Sequence, residues 1–340
     1  MKRIVLGKSG IEAARLGFGG IPIQRVSEDQ AIDTVLYAID RGMDFVDTSR
    51  MYTNSERRIG KALKQTDKKV AVATKSFARS ADGIRRDIEI SLKELQLEYI
   101  DLYQCHSISS EEEYRKITSS GGAISGLLKA RDEGLIGHIG ITGHSLDLLE
   151  KAIDNPVIET IMVCFSLLEP AAAEKVIPKA RERNVGVLAM KPFSGGVIEA
   201  AEAALKWVLA TPDILVLAGV EERRLIDQNW HVFEGSYTTS DEEQQTIERI
   251  RKEFDRKFCR RCDYCLPCPV DIPIQYVMGV RSFVKRMGPA VLQSQPFSGM
   301  IRKAAECTEC GECMARCPYD LPIPQIIKDN LSWVKSAGLG

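Results

Sequence analysis

The 340-residue chain is 44% hydrophobic and 27% charged with a net charge of -1, a composition that excludes a disordered or collagen-like polymer. A balance this close to neutral gives no global attraction to nucleic acid. The N-terminal MKRIVLGKSG has no apolar signal core, and no run approaches the roughly 18 apolar residues of a membrane helix, so no membrane contact and a cytoplasmic location are expected.

From about residue 16 to 235, short apolar or β-branched runs alternate with stretches of helical period, the pattern of successive βα units. Strands are expected at ARLGFGG, MDFVDT, VAVATKS, IDLYQCH, IGHIGIT, IETIMVC, VGVLAMK and ILVLAGV. Helix-compatible stretches such as DQAIDTVLYAIDRG and AEKVIPKARERN follow them, with Gly42 and Asn184 at helix ends that favour such residues. The runs are apolar on both parities, as strands buried on both faces must be. Eight such units predict an α/β fold, a (β/α)8 TIM barrel. The alternative is a doubly wound open sheet, but no G-x-G-x-x-G follows an early strand, and GFGG at 17–20 reads as a strand end or turn. SISSEEEYRKITSSGG, at 107–122, reads as a lid or surface loop.

Chemistry in such a barrel sits where strands end. The second run ends in FVDTSRMY, with Asp47 and Tyr52; the third ends at Lys75 and the fourth at His106. A lysine ammonium beside a phenol is expected to lower the tyrosine pKa towards neutrality and make Tyr52 a general acid. Asp47 would keep Lys75 charged, and His106 could hydrogen-bond the oxygen that receives the proton. His138, His144 and His231 read as structural or surface residues, and Cys105 and Cys164 as buried, inert thiols.

These segments carry a resemblance. FVDTSRMY, VATKS and LYQCHS resemble the tetrad motifs of the aldo-keto reductase superfamily over residues 1 to about 235, with support from NSERRIGKAL, GITGHS, MKPFSGG and AGVEERRLIDQN. The resemblance implies reversible hydride transfer between the nicotinamide of NADPH or NADH and the carbonyl carbon of a small-molecule carbonyl or alcohol substrate. It also implies catalytic roles for Asp47, Tyr52, Lys75 and His106. Thr142 would meet the carboxamide, Met190 would pack on the nicotinamide ring, and Lys191, Phe193, Ser194 and Gly195 would line the pyrophosphate. Gln228 and Asn229 match the family's adenine contacts. The sequence departs from the family's pattern at Gly143 and Met162, at Leu225 in place of an arginine, and at Gly219 in place of a lysine; Arg223 and Arg224 could substitute at a 2'-phosphate. Ile21, Met51, Phe77 and Phe193 suggest a partly apolar substrate pocket.

Eight of the ten cysteines lie between 259 and 317, in CRRCDYCLPCP and CTECGECMARCP. C-x2-C-x2-C wraps three thiolates around one core, and the following Cys-Pro sends a fourth towards another, a spacing that favours iron–sulfur clusters over zinc. The tail resembles helical two-cluster ferredoxin domains. That resemblance implies that Cys259, Cys262 and Cys265 join Cys317, while Cys307, Cys310 and Cys313 join Cys268, around two 4Fe-4S clusters. Cys268 follows Cys265 after two residues rather than three, so it could instead close the first cluster, leaving one.

The expected organisation is a barrel over 1–240, a linker helix over 241–257, and a small, mostly helical ferredoxin-like domain over 258–340. The basic run RKEFDRKFCRRC reads as the solvated end of the linker helix, the alternative being a contact for the anionic cluster or for an acidic electron-transfer partner. Three functions fit these features. One is an NAD(P)H-dependent carbonyl reductase or alcohol dehydrogenase. The second passes electrons between substrate or NAD(P)H and an external ferredoxin-like partner, which must split a hydride among one-electron carriers with no flavin motif in sight. The third, a cofactor-binding redox sensor, leaves the intact tetrad without a purpose.

Overall fold

A computed structural model describes residues 2–338. Strands β1 (Arg3–Val5) and β2 (Glu12–Ala14) form an antiparallel hairpin. The next eight close a parallel barrel: β3 (Leu16–Gly19), β4 (Phe45–Asp47), β5 (Ala71–Ser76), β6 (Ile100–Ile108), β7 (Ile136–Gly143), β8 (Thr160–Cys164), β9 (Gly186–Met190) and β10 (Leu215–Gly219), with β10 pairing β3. The eight runs expected from the sequence are these strands, and the barrel replaces the open-sheet alternative.

The barrel is filled, not hollow. Phe45, Ala73, Leu102, Met162, Leu188, Leu215 and Leu217 meet inside it, and Leu6 and Ala13 of the hairpin region join them. Gly7 bridges Val185 just ahead of β9, so the hairpin seals the end where the strands begin. The opposite end, where the strands finish, is left for chemistry.

Local signals set the helix ends. In Glu28–Arg41, the Ser27 hydroxyl accepts from Gln30 N–H, and Gly42, at φ 112°, donates back to the Ala38 and Ile39 carbonyls. Asn184 takes the left-handed conformation, at φ 52°, after the helix Ala172–Glu182. The segment expected as a loop over 107–122 is instead built around a helix, Glu111–Thr118. Ser110 caps it, three glutamates occupy its first turn, and Tyr114 and Ile117 bury against the barrel core.

The helix Asp241–Phe254 begins in a reciprocal capping box between Ser240 and Glu243. Its Ile247 and Ile250 pack with Leu167, Leu168, Ile198, Ala203, Ala204 and Phe258, which fastens it to the barrel. Beyond it the chain is helical: Ile274–Met278, Val280–Met287, Phe297–Ala304, Glu312–Ala315 and Ile323–Ser336. Their core is Ile272, Ile274, Val277, Ala304, Leu321, Ile323 and Ile327, against which six of the cysteines pack. The basic run is not simply solvated: Arg261 is 7% exposed and pairs with Glu169 of the barrel at 3.4 Å. Ser282 Oγ donates to Gly195 O at 3.1 Å, and Lys285 Nζ to Gly196 O at 2.5 Å. The cysteine-bearing region therefore rests on the end of the barrel where the strands finish.

Candidate active site and cysteine sites

Asp47 is the last residue of β4, Lys75 lies near the end of β5 and His106 near the end of β6; Tyr52 sits on the turn after β4. Lys75 Nζ donates to Asp47 Oδ2 at 2.5 Å and to Thr48 O at 2.7 Å, and both charged residues are buried. The same nitrogen lies 5.0 Å from the Tyr52 ring centroid, and the Tyr52 and His106 rings meet edge to face at 6.1 Å. Phe77 packs at a tilt on the His106 ring, 4.3 Å between centroids.

Burial pulls the Lys75 ammonium down, but Asp47 and Tyr52 outweigh it and raise its pKa, so the lysine is charged at neutral pH. Tyr52 departs from expectation. Burial raises its pKa and outweighs Lys75, whose charge is shared with Asp47, so the phenol is held above its ordinary value rather than drawn towards neutrality. Burial, followed by Lys75, Arg79 and Lys191, holds His106 well below the usual imidazole range and therefore neutral.

Ser49 was not singled out by the sequence, although it lies inside FVDTSRMY. Its hydroxyl is 3.1 Å from both His106 Nδ1 and Lys75 O. One hydroxyl carries one hydrogen, so the histidine tautomer depends on which acceptor takes it. With the hydrogen on Nδ1's side, Nε2 carries the ring proton.

The expected cofactor residues gather less uniformly. Thr142 Oγ1 accepts from Ser107 N–H at 2.7 Å, and Met162, its register partner on β8, packs in the barrel interior. Met190, at the end of β9, packs partly on the same interior cluster. Lys191, Ser194, Gly195 and Gly196 all have positive φ, and Ser194 Oγ lies 2.8 Å from Ser166 Oγ. Such a turn suits an anion because its backbone N–H groups form a concavity. Phe193 is partly buried and packs on the cores beside it. Gly219 ends β10 against Pro22. Arg223 pairs with Asp33 and Arg224 with Glu222, Gln228 is exposed and Asn229 buried.

Two residues beside this turn were not expected there. His144 Nε2 lies 2.7 Å from Lys191 Nζ, and burial holds that imidazole neutral. Arg286, from the helix Val280–Met287, lies close enough to Gly195 that a Cβ built there would be 3.5 Å from its Nε. Burial, then Arg261, pushes Lys191 down to about 7; burial, then Arg261, pushes Arg286 down to about 10.

The cysteines form two quartets. Cys259, Cys262, Cys265 and Cys317 line one cavity, and Cys268, Cys307, Cys310 and Cys313 line another. Cys268 thus stands with the second motif rather than with its neighbours in sequence. Among the described residues no three His, Cys, Asp or Glu side chains converge as ligands to a single ion. Four sulfurs spread around a cavity suit a cluster, whose irons each take one thiolate, better than one tetrahedral metal.

A model of the aldo/keto reductase family matches residues 15–203. The chain belongs to the aldo/keto reductase family. A 4Fe-4S dicluster domain model matches residues 258–322, so this oxidoreductase carries a C-terminal 4Fe-4S domain. Among its relatives, L-galactose dehydrogenase of Arabidopsis thaliana is 31% identical over 228 residues, 62% of this chain and 70% of that protein. Aldo-keto reductase YhdN of Bacillus subtilis (strain 168) is 29% identical over 220 residues, 58% of this chain and 64% of that relative. The barrel superposes on the holo form of aldo-keto reductase AKR11C1 from Bacillus halodurans with a TM-score of 0.64, at 23% identity, covering 74% of this chain and 96% of that one. An aldo-keto reductase from Klebsiella pneumoniae in complex with NADPH gives 0.63 at 19% identity, covering 74% and 95%. The reductase therefore has the barrel of its family, with the 4Fe-4S domain appended at its C-terminal side.

Proposed function

We propose that the protein interconverts a carbonyl and an alcohol on a small-molecule substrate, using NAD(P)H, with Tyr52 as general acid and base. The observation that carries this reading is the convergence of Tyr52, the Lys75–Asp47 pair and neutral His106 where β4, β5 and β6 end. The nicotinamide, when bound, supplies or receives the hydride. Thr142, Met190, Lys191, Phe193, Ser194 and Gly195 would hold it, with Gly219, Arg223, Arg224, Gln228 and Asn229 at the adenine end; the positive-φ turn at 194–196 fits a pyrophosphate.

The chain's own residues then handle the proton. Tyr52, kept protonated by burial, gives its phenolic proton to the carbonyl oxygen as charge develops there, and regains it from the alcohol in the reverse direction. Lys75, held charged by Asp47, stabilises the phenolate left behind. His106, with its proton on Nε2 when Ser49 donates to Nδ1, can hold the same oxygen in place. Tyr52→Phe tests the reading: it should lower nicotinamide-linked turnover by roughly 10²- to 10⁴-fold while cluster absorbance stays intact. An unchanged rate sinks it.

The cysteine quartets support two 4Fe-4S clusters, one on Cys259, Cys262, Cys265 and Cys317 and one on Cys268, Cys307, Cys310 and Cys313. A second reading, exchange of electrons with a ferredoxin-like partner through these clusters, draws on one contact: Arg261, between two cysteines of the first quartet, reaches Glu169 at the barrel end. Bleaching of cluster absorbance on adding NADPH, at the rate of turnover, is its test.

A further inference from the structure

Glu56 is a buried carboxylate for which the mechanism above has no use. It is the second residue of the helix Ser55–Leu63 and is 3% exposed. The helix dipole favours an acid in a first turn, but that effect does not call for burial. Oε1 accepts from Thr74 Oγ1 and from Ser91 Oγ, each at 2.7 Å and each fully buried, and Oε2 pairs with the Arg50 guanidinium. Ser91, on the helix Ala81–Leu95, also lies 3.3 Å from the Tyr103 hydroxyl of β6. Taking a carboxylate and a guanidinium out of water is costly, and apolar side chains of similar volume serve stability as well or better. Stability alone therefore does not account for the pair.

Arg50 and Glu56 flank the segment that carries Tyr52. Within it, Tyr52 N–H donates to Ser49 O at 2.9 Å and Ser55 N–H to Tyr52 O at 2.7 Å, and Thr53 has φ 34°. A β-branched residue at positive φ is strained and holds only where its surroundings over-determine it. Outside packing does not do this, since Met51 and Thr53 are exposed. The segment is fastened from its ends instead: Ser55 Oγ donates to Gly20 O and lies 2.8 Å from Thr48 Oγ1, and Arg50 N–H donates to Lys75 O at 3.1 Å. The tie from Arg50 to Glu56 closes the segment, and Thr74 anchors that tie to β5. Thr74 precedes Lys75, and strand alternation turns the first outward to Glu56 and the second inward to Tyr52. One strand thus fixes the cation and, through Glu56 and Arg50, the phenol that faces it.

We propose that Glu56, acting through Arg50, is a positioning residue that holds Tyr52 against Lys75. The proposal rests on the reading of Tyr52 as general acid and base.

Glu56→Gln tests it. The amide oxygen can still accept from Thr74 and Ser91, whereas the amide nitrogen meets Arg50 donor to donor, so the tie alone is cut. Two measurements are made on anaerobically purified, cluster-loaded protein. Backbone hydrogen exchange over residues 49–55 should quicken by roughly tenfold or more. The kcat for NADPH-dependent reduction of p-nitrobenzaldehyde should fall by roughly 10- to 100-fold with KM little changed, as expected of a displaced acid. Lys61→Gln, which breaks an exposed pair with Glu28 on the same helix, should alter neither. In the Tyr52→Phe background, Glu56→Gln should lower the residual rate by no more than about twofold, because the group it positions is gone. The same fold loss in both backgrounds marks a general defect and overturns the proposal. Exchange within about twofold of wild type overturns it as well, and leaves the catalytic reading standing. An unchanged rate in Tyr52→Phe alone sinks the catalytic reading and the positioning role with it. If Glu56→Gln does not fold, Arg50→Met, which cuts the tie from its more exposed end, is measured against the same outcomes.

Discussion

Lys75 Nζ sits 2.5 Å from Asp47 Oδ2 in the buried end of the barrel, and that pairing keeps the lysine charged against the pull of burial. Asp47→Asn keeps the shape and removes the counter-charge. Burial then favours neutral Lys75, and the phenolate of Tyr52 loses its stabilising cation. A fall in kcat of roughly 10²-fold is expected, with KM little changed, measured by steady-state kinetics on protein whose cluster absorbance matches wild type.

Carbonyl reduction consumes the protonated form of Tyr52. Its pKa is raised by burial, so that form persists through neutral pH, and neutral His106 adds no titration there because its pKa is held low. With NAD(P)H saturating, so that Lys191, pushed down to about 7, does not enter through cofactor binding, the reduction rate should stay level from about pH 6 to 9 and fall only above about 10, the ordinary phenol value. Alcohol oxidation, which needs the phenolate, should rise with pH over the same range. A reduction rate that halves near pH 7 would contradict the raised phenol.

Ser49 Oγ lies 3.1 Å from both His106 Nδ1 and Lys75 O, and donation to Nδ1 would place the ring proton on Nε2. Ser49→Ala removes the hydroxyl and lets the imidazole adopt either tautomer. The expected cost is about 1 kcal/mol, roughly a fivefold fall in kcat. Threonine at the same position should restore most of the rate, an outcome a general packing defect would not give.

Cys268 lines the cavity of the second motif, although it follows the first in sequence. Cys268→Ser should therefore disturb the cluster of Cys307, Cys310 and Cys313 and spare that of Cys259, Cys262 and Cys265. Iron analysis should fall from roughly eight towards four per chain, and Cys317→Ser should disturb the other cluster. Electron paramagnetic resonance of the reduced variants separates the two, since a signal lost in both alike would mean that the quartets are not independent.

Much of this was readable in the chain because it is local or strictly ordered. Each barrel strand is a short apolar run with its own flanking signals, and Gly42 and Asn184 mark helix ends by a conformation those residues tolerate. Lys75 and Asp47 stand at strand ends, and strand ends are where a barrel places its chemistry. The segment after His106 reads as a loop in the sequence because its three consecutive glutamates look like a solvated run; at the first turn of a helix they are stabilised by the dipole and Ser110. The direction of the Tyr52 shift is not legible there either, since a sequence names the lysine beside the tyrosine but not how much water either one loses.

By itself, the sequence determined the alternating βα units, the order of Asp47, Tyr52, Lys75 and His106, and the two cysteine motifs, because each depends on neighbours a few residues apart. Only the tertiary structure decided that Cys268 stands with the second motif, that Arg261 is buried against Glu169, and that Arg286 reaches Gly195 in the turn after β9. Burial and Coulomb interactions depend on distance through space, and no spacing along the chain records how close a helix near residue 286 comes to a turn at 195.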